Sequence, residues 1–199
     1  IVYVTGGAQR YFESDTSFFY TTINATEAYD PTTDTWTEKS PMPTSRAGFG
    51  TAVYQNRIYC TGGRVLWKNS ENATSTNEVY DTETDTWQTK TPMPTARYGI
   101  QANEVDGKIY LIGGWIKSES SSQANRSAKV EIYDPLTDTW TTGSPMPTAV
   151  AGYASAVMDG KIYVISGIAS GSTYTNLIQM YDPMMDEWSL GVPIPMGVN

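Results

Sequence analysis

Short apolar segments separated by polar turn residues recur along the whole chain. Residues 98–105 and 108–114 are two such segments, and Asp106-Gly107 lies between them. Asp-Gly between two apolar runs supplies the positive φ angles of a type I′ turn, so this pair predicts a β-hairpin. Asp159-Gly160 repeats the arrangement one unit later. No window shows a sustained 3.6-residue apolar period, and the pattern therefore predicts an all-β chain.

Three sequence markers recur with one common period. The first is a Tyr-Asp pair followed by a turn and a tryptophan, and successive tryptophans are 51, 53 and 48 residues apart. The second is a double glycine and the third is Pro-Met-Pro-Thr; both are weakened in the last copy. The markers begin at Tyr29, Tyr80, Tyr133 and Tyr181, at Gly6, Gly62, Gly113 and Ser166, and at Pro41, Pro92, Pro145 and Pro193. Linked markers with a period of roughly 50 residues indicate a repeat architecture.

These markers resemble those of kelch repeats over essentially the whole chain, residues 1–199. The resemblance implies a β-propeller of four-stranded antiparallel kelch blades, with about four blades visible and the ring incomplete. The expected units are residues 1–45, without an innermost strand, 46–96, 97–149 and 150–199. Because propellers have roughly four to eight blades, we expect the remaining blades of a longer chain, or another copy of this chain, to complete the ring.

Several repeated residues are expected to build the scaffold. Small residues are frequent where each innermost strand should approach the axis, and the tyrosines and tryptophans should fill the space between neighbouring blades. Each Tyr-Asp marker also has a second aspartate four residues after the first, as in Asp81 and Asp85. This spacing does not match the alternating ligands of a calcium loop. Asx turns explain the pairs better, and no metal site is predicted.

Four segments of varied length are expected on one face of the propeller as loops. They are residues 8–24, 64–77, 115–129 and 168–176. Function concentrates in loops on a rigid frame, so Trp67 and Trp115, at the bases of two of them, are candidate binding residues. The alternative is that these tryptophans cap the hydrophobic core.

Arg46 and Arg97 are also candidate binding residues, because they begin innermost strands near the expected channel mouth. Resemblance to kelch adaptors implies that such arginines pair with acidic ligands, although Val150 stands at the third equivalent position. The alternative is a structural arginine bonded to neighbouring backbone carbonyls.

Three Asn-x-Ser/Thr motifs lie in the varied segments, at Asn24, Asn72 and Asn125. They predict N-glycosylation and hence an extracellular or cell-surface protein. Chance occurrence in segments rich in serine, threonine and asparagine is the alternative, together with a cytoplasmic location.

Charge and composition exclude several functions. The net charge of −8 disfavours binding to nucleic acid, and no segment approaches the roughly 20 apolar residues of a membrane-spanning helix. The chain has no histidine, so it cannot supply the histidine ligands of a kelch oxidase such as galactose oxidase, and we predict neither a cofactor nor enzyme activity. A carbohydrate-isomerising site using arginine and glutamate is a remaining alternative.

The sequence therefore predicts a non-catalytic binding module that recognises a protein or glycan partner through the varied face. Two alternatives belong to other classes. One is a structural repeat of a surface layer or filament, and the other is an intracellular ubiquitin-ligase adaptor.

Overall fold

A computed structural model describes residues 1–14, 17–68, 70–117, 124–170 and 173–195. The regular elements in these ranges are β-strands, as the sequence predicts. In chain order they are β1 (Val2–Ser14), β2 (Ser17–Asp30), β3 (Thr35–Lys39), β4 (Gly50–Tyr54), β5 (Arg57–Thr61), β6 (Arg64–Lys68), β7 (Ser70–Ala73), β8 (Asn77–Asp81), β9 (Thr86–Lys90), β10 (Gln101–Val105), β11 (Lys108–Ile112), β12 (Trp115–Lys117), β13 (Ala124–Arg126), β14 (Val130–Asp134), β15 (Thr139–Gly143), β16 (Ala154–Met158), β17 (Lys161–Ile165), β18 (Ile178–Asp182) and β19 (Glu187–Leu190).

Within the described ranges, four main antiparallel sheets follow one another along the chain, and β12 and β13 form a separate two-stranded sheet. The second, third and fourth sheets each have four strands, in the orders β4-β5-β8-β9, β10-β11-β14-β15 and β16-β17-β18-β19. The first sheet contains β1, β2 and β3 at the corresponding positions, with β2 between the other two strands. The prediction of four-stranded antiparallel propeller blades is confirmed, and within the described ranges the blades form no closed ring.

The hydrophobic core lies between neighbouring sheets. Tyr59 of the second sheet and Tyr133 of the third have ring centroids 5.9 Å apart. Tyr110 and Tyr181 repeat this contact between the third and fourth sheets at 6.1 Å. Both clusters also bury the methionines of the Pro-Met-Pro segments. Burial of these large side chains holds the sheets against each other, as expected of the repeated tyrosines.

Hydrogen bonds at the turns join each sheet to the previous one. Asp85 accepts the backbone N–H of Ser40 at 2.9 Å, and the indole N–H of Trp87 donates to the carbonyl of the same residue at 2.8 Å. Thr91 is held in this way by Asp138 and Trp140, and Ser144 by Asp186 and Trp188. We call this arrangement the clamp. It satisfies both backbone groups of a residue that leaves the preceding sheet.

Glycines link the innermost strands near the axis. The N–H of Gly99 donates to the carbonyl of Gly48 at 2.8 Å, and the N–H of Gly152 donates to that of Gly99 at 3.0 Å. All three have φ between 60° and 65°, where a side chain is disfavoured. The repeated small residues therefore allow this backbone contact, and they also fit the limited space near the axis.

Three of the four varied segments are more ordered than predicted. We expected loops, and this expectation is wrong for three of the segments, because β-hairpins occupy them. The end of β1 and the start of β2 form one hairpin. β6 and β7 form the second hairpin, and β12 and β13 form the third. Residues 15–16, 69, 118–123 and 171–172 of the varied segments lie outside the described residues.

The predicted boundaries between units stay a prediction. The segment from Ser40 to Arg46 contacts two sheets, because the backbone N–H of Met42 donates to the carbonyl of Asn24 while Arg46 bonds to Glu78. A cut at residue 45 therefore passes through a shared segment. Residues 196–199 of the last predicted unit lie outside the described residues.

Candidate functional site

The three hairpins project from the same side of the sheets, opposite the clamps. We call this side the hairpin face and the side with the repeated Asp-x-x-x-Asp turns the turn face. The first two hairpins pair directly, because β2 contacts β6 at Tyr20↔Lys68 and Thr21↔Trp67. This pairing gives the hairpin face a continuous surface across the first two sheets.

Trp67 lies on this surface with 59% of its area exposed. Its ring makes an edge contact with Phe19 at 5.8 Å, and Phe19 stacks on Tyr11 at 5.7 Å. The Nζ of Lys68 lies 5.5 Å from the centroid of the Phe19 ring. The rings of Tyr11, Phe19 and Trp67 line a groove of about 360 Å³ that also includes Ser45. Exposed aromatic rings beside a groove are the usual anchors of protein recognition.

Trp115 belongs to a second aromatic group at the base of the third hairpin. Its half-buried ring stacks on Tyr98 at 6.5 Å, and the guanidinium of Arg126 lies 4.2 Å from its centroid. The guanidinium of Arg64 lies 5.1 Å from the centroid of the Tyr98 ring. Arg64 also forms a 2.7 Å ion pair with Glu71. The group thus combines two stacked aromatic rings with the guanidinium groups of Arg64 and Arg126.

Arg46 and Arg97 do not lie on the hairpin face. Both side chains have 0% exposure, and Arg46 donates to Glu78 at 2.9 Å and to the carbonyl of Gly62 at 2.7 Å. Arg97 donates in the same way to Glu131 at 2.7 Å and to Gly113 at 2.6 Å. Burial lowers the pKa of Arg97, whereas the Glu131 carboxylate acts to raise it. These contacts match the structural alternative, and neither guanidinium is open to a surface ligand.

The two glutamates that bind these arginines were missed by the sequence analysis. Glu78 and Glu131 each come two residues before the Tyr-Asp marker, and the repeat spacing could have identified them. In the fourth sheet, Val150 replaces the arginine and Gln179 replaces the glutamate. Gln179 instead exchanges two hydrogen bonds with the backbone of Thr148. The paired replacement avoids leaving a buried carboxylate without a cation.

The three glycosylation motifs occupy different environments. Asn24 lies within β2, and its Nδ2 atom donates to the carbonyl of Met42 at 2.9 Å, while Thr26 of the same motif is buried. Asn72 and Asn125 are exposed on the second and third hairpins. Asn72 and Asn125 are therefore exposed, whereas Asn24 is half-buried and its amide is hydrogen-bonded to the backbone.

The paired aspartates form the Asx turns that were predicted from their spacing. Asp81 accepts the backbone N–H of Glu83 at 3.1 Å, and Asp30, Asp134 and Asp182 accept the equivalent N–H groups. Across the described ranges, no three histidine, cysteine, aspartate or glutamate residues are grouped to hold a metal ion. The same described residues include no helix with the length and apolar character of a membrane span.

Comparison with known families agrees with this geometry. The family profile described as the KLHDC2/KLHL20/DRC7 Kelch-repeats domain matches residues 1–194. The chain belongs to the kelch-repeat family. Among solved structures, that of YjhT superposes on this kelch chain with a TM-score of 0.73 at 17% identity, covering 96% of this chain and 66% of that chain. This similarity supports the fold alone.

Two curated kelch relatives show how much of a whole protein the chain represents. Kelch-like protein 15 of Homo sapiens is 28% identical over 169 residues, which are 79% of this chain and 28% of that protein. Kelch-like protein terF of Aspergillus terreus is 37% identical over 130 residues, covering 63% of this chain and 27% of that protein. The chain thus spans between a quarter and a third of the length of these relatives.

Proposed function

We propose that this kelch segment is a non-catalytic module that binds a protein partner through its hairpin face. The observation that carries the proposal is the exposed aromatic groove around Trp67, which the repeat itself does not require. Tryptophan and tyrosine are over-represented among the residues that dominate binding energy. The turn face, in contrast, repeats nearly the same polar turns and offers little on which specific recognition could depend.

Trp67 and Trp115 are the proposed anchors. Arg46 and Arg97, which were candidates on sequence grounds, enter the proposal only as supports, because they hold the strands below the hairpin face. A glycan partner is the second candidate, since an exposed indole ring can also stack on a sugar ring.

We further propose an extracellular or cell-surface location, supported by the exposed amides of Asn72 and Asn125. A cytoplasmic location is the alternative. Expression in a secreting eukaryotic host, followed by mass spectrometry with and without N-glycosidase, tests the sites. Glycan on Asn72 and Asn125 would support the proposal, and unmodified asparagines would favour the cytoplasm.

Selection of binders from a peptide library, with a glycan array in parallel, tests the binding proposal. For a selected ligand, Trp67→Ala and Trp115→Ala should each weaken binding by more than about 1 kcal/mol. Leu136→Ser and Met184→Ser are the controls, because both residues are exposed on the turn face and lie outside the clamps. Loss of binding in the control variants alone would place the ligand on the turn face. Binding of glycans but of no peptide would show that the partner is a glycan and not a protein.

A further inference from the structure

The groove beside Trp67 contains a residue for which the sequence predicts another role. Asn24 belongs to a glycosylation motif, yet it lines this groove together with Thr21, Ser45 and the aromatic rings of the first two hairpins. We call the groove lined by these residues the aromatic groove. It places hydrogen-bonding groups next to an apolar surface.

The carboxamide of Asn24 is held in one orientation. Its Nδ2 atom donates a hydrogen bond to the carbonyl of Met42 at 2.9 Å. Because a carbonyl oxygen only accepts hydrogen bonds, the Oδ1 atom of Asn24 must lie on the other side of the amide group. No described residue donates a hydrogen bond to Oδ1, and this atom is open to solvent. The groove thus contains an acceptor whose direction is fixed.

Two further hydrogen bonds hold the groove residues in place. The hydroxyl of Thr22, which is 7% exposed, donates to the carbonyl of Ser45 at 3.1 Å. The backbone N–H of Met42 donates to the carbonyl of Asn24 at 2.9 Å. A binding group that is already held in position loses little conformational freedom when a ligand binds. Asn24 and Ser45 are therefore pre-organised for binding.

None of the described residues that line the aromatic groove carries a charge. Lys68 contacts the Phe19 ring but does not line the groove, and the side chain of Arg46, next to Ser45, is buried against Glu78. A charged group of a ligand would lose its hydration here without gaining a counter-charge from the lining. The groove therefore favours an uncharged segment.

The rings form a corner and not a flat platform. The planes of Tyr11 and Phe19 differ by 12°, whereas the Trp67 ring is inclined by 64° to that of Phe19. A sugar ring stacks on one flat aromatic face, while a bulky apolar side chain fits between two inclined rings. The volume of about 360 Å³ lies at the lower end of the range for ligand sites, about 300–1,000 Å³. The shape thus favours a short peptide segment over a sugar.

We propose that the aromatic groove binds an extended, uncharged peptide segment of the protein partner and that Asn24 reads its main chain. A bulky apolar side chain of the segment packs between Trp67 and Phe19, and one of its backbone N–H groups donates to Oδ1 of Asn24. Peptide recognition commonly combines main-chain hydrogen bonds with a pocket for a side chain. This inference rests on the proposed binding function and names the ligand class and a specificity residue for it.

This role of Asn24 excludes its glycosylation. A glycan linked to Nδ2 would fill the groove and disturb the hydrogen bond to Met42. Asn72 lies on the second hairpin outside the groove, so it provides a matched control for substitutions of Asn24.

An array of capped peptides of about eight residues, probed with the full chain, supplies the ligands. Peptides whose binding is weakened by Trp67→Ala are kept, and their backbone amides are N-methylated one at a time. In the unchanged chain, one N-methyl group should lower the affinity about fivefold, because it removes the donor to Asn24. In Asn24→Ala the same methyl group should change the affinity less than about twofold, since that hydrogen bond is already absent. Fluorescence anisotropy measures both affinities.

Two controls keep the result independent of folding. Asn72→Ala should show the full effect of N-methylation, and thermal melts check that Asn24→Ala is folded. Ser45→Asp retains the backbone carbonyl that Thr22 binds but adds a negative charge to the lining. The peptides selected by this variant should be enriched in lysine and arginine, whereas those selected by the unchanged chain should not.

The outcomes separate this inference from the proposed function. An equal effect of N-methylation in Asn24→Ala would remove Asn24 from the contact, and selected peptides that require a charged side chain would overturn the ligand class. In both cases the dependence on Trp67 would remain, and the binding function would stand. If no peptide depends on Trp67, both proposals are wrong.

Discussion

The turn face and the hairpin face use tryptophan in opposite ways. On the turn face, the indole N–H groups of Trp87, Trp140 and Trp188 each donate to a carbonyl of the preceding sheet. On the hairpin face, Trp67 has most of its ring in solvent and lies beside an open groove. The three tryptophans at the repeat period thus contact the preceding sheet, whereas Trp67, which lies outside the period, is exposed.

The same contrast holds for charge. Arg46 and Arg97 recur with the repeat, and both are bonded to buried glutamates and carbonyls. Lys68 and Arg126 lie outside the repeat and contact aromatic rings on the hairpin face. Periodicity in this chain therefore separates residues that build the frame from residues that lie on the hairpin face. The following variants test this separation.

The largest loss of stability is expected from breaking a buried arginine pair. Arg97→Val leaves the Glu131 carboxylate buried without a cation, and the free energy of unfolding should fall by about 3–5 kcal/mol. The double variant Arg97→Val with Glu131→Gln reproduces the fourth sheet and should recover most of this loss. Urea unfolding at neutral pH measures both. A double variant as unstable as the single one would contradict the explanation from charge burial.

A scaffold tryptophan should matter more for stability than a hairpin tryptophan. Trp87→Ala removes a half-buried ring that packs on Tyr80 and its hydrogen bond to the preceding sheet, and we expect a loss of about 3 kcal/mol in the free energy of unfolding. Trp67→Ala removes mainly exposed surface and should cost less than about 0.5 kcal/mol. Urea melts of the two variants give the comparison directly, and equal losses would remove the distinction between the faces.

The clamps should make the stability depend on pH in the acid range. Hydrogen bonds from the Tyr80 hydroxyl and the Ser40 N–H lower the pKa of Asp85. Because the folded pKa lies below the unfolded value of about 3.9, this stabilisation is complete above that pH and is lost as pH falls through the folded pKa. The stability of the Asp85→Asn variant should therefore decrease less between neutral and acid pH than that of the unchanged chain. Thermal melts over this pH range measure the difference.

Asp34→Asn is the matched control for the pH experiment. Asp34 has the same place in the repeat, but within the described ranges it holds no backbone N–H of a neighbouring sheet. An equal change in both variants would show that the hydrogen bond to the preceding sheet is not the cause.

Much of the fold followed from the sequence because its signals are local and repeated. The Asp106-Gly107 turn has φ values of 51° and 77°, as a type I′ turn requires. The turn at Gln55-Asn56 has the same conformation, with φ values of 49° and 60°, but lacks the Asp-Gly signature and was not singled out. Strand pairing inside the repeat could be predicted, whereas pairing of β2 with β6 depends on contacts between different repeats.

The candidate site was harder to predict for a physical reason. Arg46 was placed near the surface because its position in the strand was known, but not the direction of its side chain. A buried guanidinium needs several acceptors, and these come from Gly62, Cys60 and Glu78, which are distant in sequence. The sequence alone pointed to Trp67 and Trp115 only as residues outside the repeat, and the structure was needed to show that Trp67 is exposed and Trp115 half-buried.

The smallest effect is expected at the tyrosine hydroxyls that complete the clamps. Tyr80→Phe removes one donor to Asp85, which keeps its bond to the Ser40 N–H, so the free energy of unfolding should fall by about 1 kcal/mol. Tyr29→Phe makes the same chemical change at Asp34, which holds no described residue of a neighbouring sheet, and the loss should be smaller. Because both variants retain the aromatic ring, a difference between them in urea unfolding reports the clamp rather than packing. Equal losses in the two variants would mean that the tyrosine hydroxyl stabilises only its own sheet. The contrast between the two faces would then depend on the tryptophans alone.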